Sequence, residues 1–511
     1  MRREILISAS AEESWVALRE DGRLAELMFD RAGQDRVAGD IFLGVVEAVL
    51  PGLQAAFVDI GREKAAFLHA SDLARDDDEG GGDGVQRDRS APPVQEVLSR
   101  GQEILVKVTK EAIAAKGPRV TAQISLPGRF LVYIPDSSQV GVSRKIEHQG
   151  ERARLRAMAR EVVDGGEGGV IVRTAGKELT KEKLEHEYRR LHRSWKAIEQ
   201  RARKAEAPTL VHSEAKLISG VIRDLFTSRF ESVTSDNRDV HSQISQYVRA
   251  FAPELIDRVH YFGGPGHLFD DSGIADEIQR SFQPRVDLPS GGYIVIEQTE
   301  ALVAIDVNSG RSARRGRDPD RIILKTNLDA AREIATQLRL RDIGGIVVID
   351  FIDMEDAEDR QRVLRELRSH LGRDRARTRT SQVSDLGLME MTRQRVRPSI
   401  MHSLTEECAV CEGSGRLWTA ETIVREIERS IRRAGVAGEE LRLLVCVHPR
   451  TALHILEKES RVLDDLARAV GVELHLRDDP LMRPDQFRLL SGRAEADVTG
   501  RYRVAEGALA R

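Results

Sequence analysis

Two apolar runs limit most strongly what this chain can fold into. ALVAIDVNSG (301–310) and IVVIDFID (346–353) are rich in β-forming residues, and each carries an aspartate as the run closes. Between them Leu324, Leu328, Ala331, Ile334, Ala335 and Leu338 recur at helical spacing, which predicts a long amphipathic helix. YIVIEQ, just upstream, predicts a hairpin with the first run, and a further helix is expected over 355–371. Strand, strand, helix, strand, helix is the order of a mixed α/β domain. GGIVVIDFIDM reads as a buried strand within it.

The aspartates suggest chemistry. Asp306 and Asn308 stand two apart, so strand alternation sends both side chains to one side. Asp350 closes the second run, with Asp353 slightly beyond. Ligand crevices in open α/β sheets lie outside strand ends. Two carboxylates with an amide oxygen nearby form a hard, all-oxygen set suited to magnesium. Such an ion polarises a phosphodiester and activates water. Spacing alone equally admits ordinary turn or cap aspartates.

Elsewhere the texture changes repeatedly. REILISAS, ESWVALRE and LAELMF read as strands, with Asp21-Gly22 as a hairpin turn. From Gly39 to Leu73 short strands broken by Gly and Pro suggest a small β-barrel, which resumes at ILVKVTK after an acidic, Gly-rich stretch at 75–91. RFLVYIP and GGVIVRTAG are further strands around a polar segment at 146–163. Leu184, Tyr188, Leu191, Trp195 and Ile198 form the stripe of a helix over 178–206, and a second helical zone covers 213–256. Helix and strand mix again after 418.

Composition excludes several classes. Of 511 residues, 41% are hydrophobic, which is enough for several cores. With 79 basic against 83 acidic residues the formal net charge is -4, so any phosphate-binding surface must be local. No apolar stretch is long enough to span a bilayer, and the N-terminus lacks the apolar run of a signal peptide. Three cysteines argue against a disulfide framework and for a reducing, cytoplasmic setting. Cys408 and Cys411, followed by Glu-Gly-Ser-Gly, form half of a zinc knuckle. Structural zinc takes four ligands, and Cys446 sits in an apolar strand. The other pair must come from a second copy of the chain or from histidines elsewhere. A redox pair would need a βαβ start that is missing here.

Three longer runs carry a resemblance: LPSGGYIVIEQTEALVAIDVNSG (288–310), KTNLDAAREIATQLRLRDIGGIVVIDFIDM (325–354) and GLMEMTRQRVRPS (387–399). They closely resemble the RNase E/G family of bacterial endoribonucleases. The likeness covers roughly residues 1–418. The chain ends near 511, without a long arginine- and proline-rich tail, which points to the RNase G branch.

The resemblance implies a multidomain α+β fold. Its expected parts are an RNase-H-like unit from 1–35 and 215–280, an inserted S1 (OB-fold) barrel at 36–125, and a 5′-sensor region at 126–214. A DNase-I-like catalytic domain at 281–400, a zinc link at 401–418 and a small α/β domain at 419–511 would follow. By the same resemblance Asp306 and Asp350 hold the catalytic magnesium and Asn308 orients the site. Phe57 and Phe67 would stack on RNA, with Lys107 and Lys116 adding charge, although barrel core is the plainer reading of both rings and a solvated face that of the lysines. Arg173 and Thr174, with Arg144, would grip a 5′-monophosphate, although residue pattern alone describes an exposed turn. Cys408 and Cys411 would share zinc with a second protomer, making it a homodimer clasp. Ala409 stands where the family commonly has proline. The implied activity is magnesium-dependent hydrolysis of single-stranded RNA, leaving 5′-phosphate and 3′-hydroxyl ends, in rRNA maturation and mRNA decay. A non-catalytic RNA-binding protein and a single-strand DNA nuclease are the rival readings.

Overall fold

The computed structural model describes residues 2–31, 37–73, 93–112, 117–144, 146, 148–174, 179–214, 216–310, 319–395, 399–492 and 494–503. Lys116 and the acidic stretch 75–91 lie outside the described residues. The chain forms two compact units, Met1–Ser403 and Leu404–Arg511. Among the described residues no helix is long and apolar enough to cross a membrane.

Among the described residues the first unit holds four sheets. In the first, Arg3–Ala9, Glu13–Glu20 and Arg23–Arg31 run as an antiparallel meander. Ser232–Ser235 and Val259–Tyr261 extend it by parallel pairing on its free edge. Ile5, Ile7, Val16 and Leu18 pack there against Val221, Ile222, Ile244 and Val248 of two helices. The zone 213–256 is therefore not all helix. The strand in SVTS separates Leu217–Asp224 from Arg238–Phe251, because its β-branched residues pair with the N-terminal strand.

The second sheet closes on itself. Ile41–Leu50, Ala55–Asp59, Ala66–His69, Arg119–Thr121 and Glu103–Lys110 pair in that order, and the last pairs back on the first. This is a closed five-stranded barrel, with Phe42, Val46, Ala56, Val58, Ala66, Leu68, Val106, Val108 and Val120 inside. Gly44 permits the closure, since a Cβ there would meet Val58 Cγ1 at 2.6 Å and the Asp59 carbonyl at 2.8 Å.

The third sheet, Leu126–Pro127, Leu131–Ile134, Val140–Val142 and Gly169–Val172, packs on helices Gln149–Val163 and Lys181–Lys204. The polar segment at 146–163 is thus largely a helix. Its apolar side is narrow: Leu155 and Ala159 are buried and Met158 and Val162 partly so, while arginines cover the rest. In Lys181–Lys204 the stripe Leu184, Tyr188, Leu191, Trp195 and Ile198 is buried as its spacing predicts.

The fourth sheet carries the site. Its order is Arg285–Asp287, Tyr293–Gln298, Leu302–Asn308, Gly345–Asp350, Leu388–Arg393, Thr378–Thr380. Among its described strands only Leu302–Asn308 and Gly345–Asp350 pair in parallel, joined by a connection that includes the long helix Pro319–Leu340. That helix and Ala357–Leu371 cover one face, where Ile294, Val303, Ile305, Val347, Ile349, Met389 and Met391 form the core. The strand expected to be buried is therefore buried on one side only: Val347 and Ile349 are 0% exposed, but Ile346 is 50% exposed. A one-sided helical layer leaves the alternate residues to solvent.

In the second unit Arg442–Val447 lies between Glu473–Asp478 and Phe487–Ser491, under helices Ala420–Ala437, Pro449–Lys458 and Val462–Val470. Cys446 is buried on the central strand, as core.

Candidate active site

Strand register joins the two aspartates. Asp306 and Asp350 are direct partners across the parallel pair, and both stand on the face that no helix covers among the described residues. The Asn308 amide donates to Asp306 Oδ2 at 2.6 Å, the same-side contact that two-residue spacing predicts. This bond fixes one carboxylate oxygen and leaves the other side of the group open. Partial burial, the Asp306 charge and the Asp353 charge together raise the Asp350 carboxyl above its usual range. Asp353 therefore acts on Asp350 electrostatically, from the loop beyond the strand.

One contributor escapes the sequence reading. Asn327, 0% exposed on the long helix, donates to the Ile352 carbonyl at 2.8 Å and accepts from the Ile352 amide at 3.1 Å. It pins the loop between Asp350 and Asp353. A polar residue at an apolar helix position was the available signal. Gly387 shapes the same loop: its φ is +75°, and a Cβ there would meet the Phe351 carbonyl at 2.4 Å.

Among the described residues no group of three or more His, Cys, Asp or Glu forms a metal cluster. Magnesium asks for less, namely one or two carboxylates completed by water and phosphate oxygens. Two adjacent carboxylates that repel each other suit such a cation.

On the barrel, Phe57 and Phe67 are cross-strand partners with ring centroids 6.0 Å apart. Both are half-buried and stand outside the barrel core, whose inward residues on these strands are Ala56, Val58, Ala66 and Leu68. His69 continues the row, 6.5 Å from Phe67, and alternation from Phe67 could have found it. Arg119 pairs in register with Phe67 and is held by Asp72 at 2.8 Å. Lys107 does not offer a free ammonium: its Nζ donates to the Ser125 carbonyl at 2.8 Å, and burial lowers its pKa.

Arg173, Thr174 and Arg144 leave one end of the third sheet, where Val142 and Val172 are parallel partners. Thr174 and Arg144 are exposed. Arg173 NH1 donates to the Gly128 carbonyl and to Asp224 Oδ1, each at 2.6 Å. Burial would raise the Asp224 carboxyl, but Arg223 and Arg173 outweigh it and hold the group below the usual range.

In the second unit Cys408 and Cys411 sit on a tight turn, closed by Glu412 N–H to the Cys408 carbonyl at 2.7 Å. Hydrogen bonds from the Cys411 and Val410 amides, and from the Cys411 side chain, lower the Cys408 thiol pKa. Two thiols match half of a tetrahedral zinc site.

A closed barrel with aromatic rings on its outside matches the single-strand-binding OB fold, and the same chain holds a sheet that opens two carboxylates to solvent. The comparisons with known proteins agree. Residues 125–396 match the Ribonuclease E/G family and residues 37–121 match the S1 RNA binding domain. Ribonuclease G of Salmonella typhimurium is 37% identical over 487 residues, covering 95% of this chain and 99% of that protein. Ribonuclease G of Haemophilus influenzae is 37% identical, over 95% of this chain and 98% of its own length. Ribonuclease E of the same organism is 35% identical over 98% of this chain but only 53% of that protein. The chain belongs to the ribonuclease E/G family.

Proposed function

We propose that this protein is a magnesium-dependent endoribonuclease that hydrolyses single-stranded RNA and prefers 5′-monophosphorylated ends. One observation carries the reading: Asp306 and Asp350 are register partners on an uncovered sheet face, with Asn308 bonded to the first. These two carboxylates would hold the cation, which supplies Lewis-acid polarisation of the phosphodiester and an activated water. The chain's own residues do the positioning. Asn308 orients the Asp306 carboxylate, and Asn327 steadies the loop beyond Asp350. Attack by water at phosphorus breaks the bond to the 3′ oxygen, which leaves protonated, and the new 5′ end keeps the phosphate.

The rings of Phe57 and Phe67 would stack on bases without sequence preference, as suits a processing enzyme acting on rRNA and mRNA. Arg173 and Thr174, with Arg144, would hold the terminal phosphate by charge-assisted bonds. Cys408 and Cys411 would bind zinc together with the same pair of a second protomer, giving a homodimer.

The test is cleavage of a 5′-monophosphorylated RNA with and without magnesium, by wild type and by Asp350→Asn. Cutting that needs both the ion and the carboxylate supports the reading. Full activity of the variant sinks it. A 5′-hydroxyl RNA and a DNA strand of the same sequence test the end preference and the sugar. Chelation that leaves the dimer intact would remove the zinc clasp.

A further inference from the structure

Once the internal ion pairs are drawn, one cavity of the first unit keeps cations without carboxylates. It has a volume of about 470 Å³ and is walled by the N-terminal sheet, the start of the third sheet, the loop after Leu217–Asp224 and the C-terminal ends of the two catalytic-sheet helices. Among the described residues its wall carries eight guanidinium or ammonium groups against four carboxylates. Glu20 and Glu26 match Arg3, Arg339 and Arg375, and Glu4 matches Arg19. Glu254 lies 3.6 Å from Lys183, and Asp224 is committed to Arg173 and Arg223.

Arg129, Arg229 and Arg373 remain, with no ion pair among the described residues. Arg129 is 4% exposed. Its terminal nitrogens bond only the Ile222 and Phe226 carbonyls, at 3.3 and 2.7 Å, and its Nε has no partner. Among the described residues no carboxylate ion-pairs with this buried guanidinium, and Glu254 and Glu187 act on it only from a longer range, so an anion brought to the wall would lower the cost of burying it. Arg229 and Arg373 are exposed and extend from two different parts of the unit. Thr174, Thr227 and Ser228 add hydroxyls to the same wall.

We propose that this cavity binds a small, free phosphorylated anion, of pyrophosphate to nucleotide size, through Arg229 and Arg373. Guanidinium forks and hydroxyls match phosphate oxygens. Small-molecule sites commonly span about 300–1,000 Å³, so the space suits such a ligand better than a lone halide. The same phosphate chemistry exists on an RNA 5′ end. The wall, however, shares only Thr174 with the residues assigned above to that end. Arg173 is not part of it and is turned onto Gly128 and Asp224.

The experiment is calorimetric titration of the full chain with sodium pyrophosphate, at low salt and without divalent ions. Wild type should bind. Arg229→Ala and Arg373→Ala should each weaken binding at least tenfold, and the double variant should abolish it. Both residues are exposed, and matching melting temperatures would show the fold intact. Arg249→Ala, an exposed arginine outside the cavity, should bind as wild type. No binding by wild type, equal binding by the double variant, or equal loss in Arg249→Ala would overturn the proposal. So would displacement of pyrophosphate by a 5′-monophosphorylated but not a 5′-hydroxyl oligonucleotide, because that would return the cavity to the RNA end.

Discussion

The barrel and the fourth sheet each bury one face and open the other, but they open opposite chemistry. On the barrel, Phe57 and Phe67 pack edge to face against each other and stay half-buried. Such a surface costs the fold little, because the rings keep part of their apolar contact. On the fourth sheet the open face carries two like charges on adjacent strands, and partial burial together with the Asp306 and Asp353 charges raises the Asp350 carboxyl. A stacking surface is at ease without its ligand. A paired-carboxylate surface is not, and a bound cation would relieve that repulsion.

Four measurements would break or sharpen that contrast. The largest effect is expected from Asp306→Asn. Cleavage should fall about 10²–10³-fold, the usual cost of losing one preorganised electrostatic group, while RNA binding is kept. Single-turnover cleavage beside fluorescence anisotropy checks this, and a parallel loss of binding would mean that the two faces do not work separately.

The second compares the two sides of one strand. Ile349→Ala, at 0% exposure, should lower stability by about 2–5 kcal/mol. Ile346→Ala, at 50% exposure, should stay within about 0.5 kcal/mol. Urea unfolding distinguishes them, and equal losses would refute the one-sided layer.

Third, Phe67→Ala should weaken RNA binding by about 1–3 kcal/mol, one stacked base, with kcat retained on saturating substrate. An unchanged dissociation constant would return the ring to a packing role.

The smallest effect concerns stability without metal. A carboxyl whose folded pKa is raised binds its proton more tightly when folded, so its penalty is present above that pKa and fades as pH falls through it. Asp306→Asn removes one cause of the rise at Asp350. Its stability should therefore exceed that of wild type at neutral pH by less than about 1 kcal/mol, read as a small rise in melting temperature, since both groups are largely solvated. The gap should narrow as pH falls toward the ordinary carboxylate range. A lower melting temperature at neutral pH would contradict the repulsion.

How far the chain could be read beforehand depended on how far apart the partners lie. The stripe Leu184 to Ile198 and the pair Asp306–Asn308 are local, and period alone placed them. The helix over Gln149–Val163 was hidden because so few of its residues are apolar. The strand Ser232–Ser235 was hidden because its reason to exist is a partner more than two hundred residues away. Lys107 reads as surface charge in the sequence, whereas in the fold the Ser125 carbonyl occupies its ammonium. The role of Asn327 is silent in the sequence because it needs the loop at Ile352 beside it.

By itself, then, the sequence determined which residues alternate, which runs are apolar, and which family the chain resembles, since these depend on covalent order and local geometry. Only the tertiary structure decided that Asp306 and Asp350 are register partners on an open face, and that the barrel rings point outward. It also decided that the cavity at Arg229 and Arg373 keeps uncompensated charge. Register, facing and charge balance are sums over residues distant in sequence, and they exist only once packing has chosen one side of each sheet to bury.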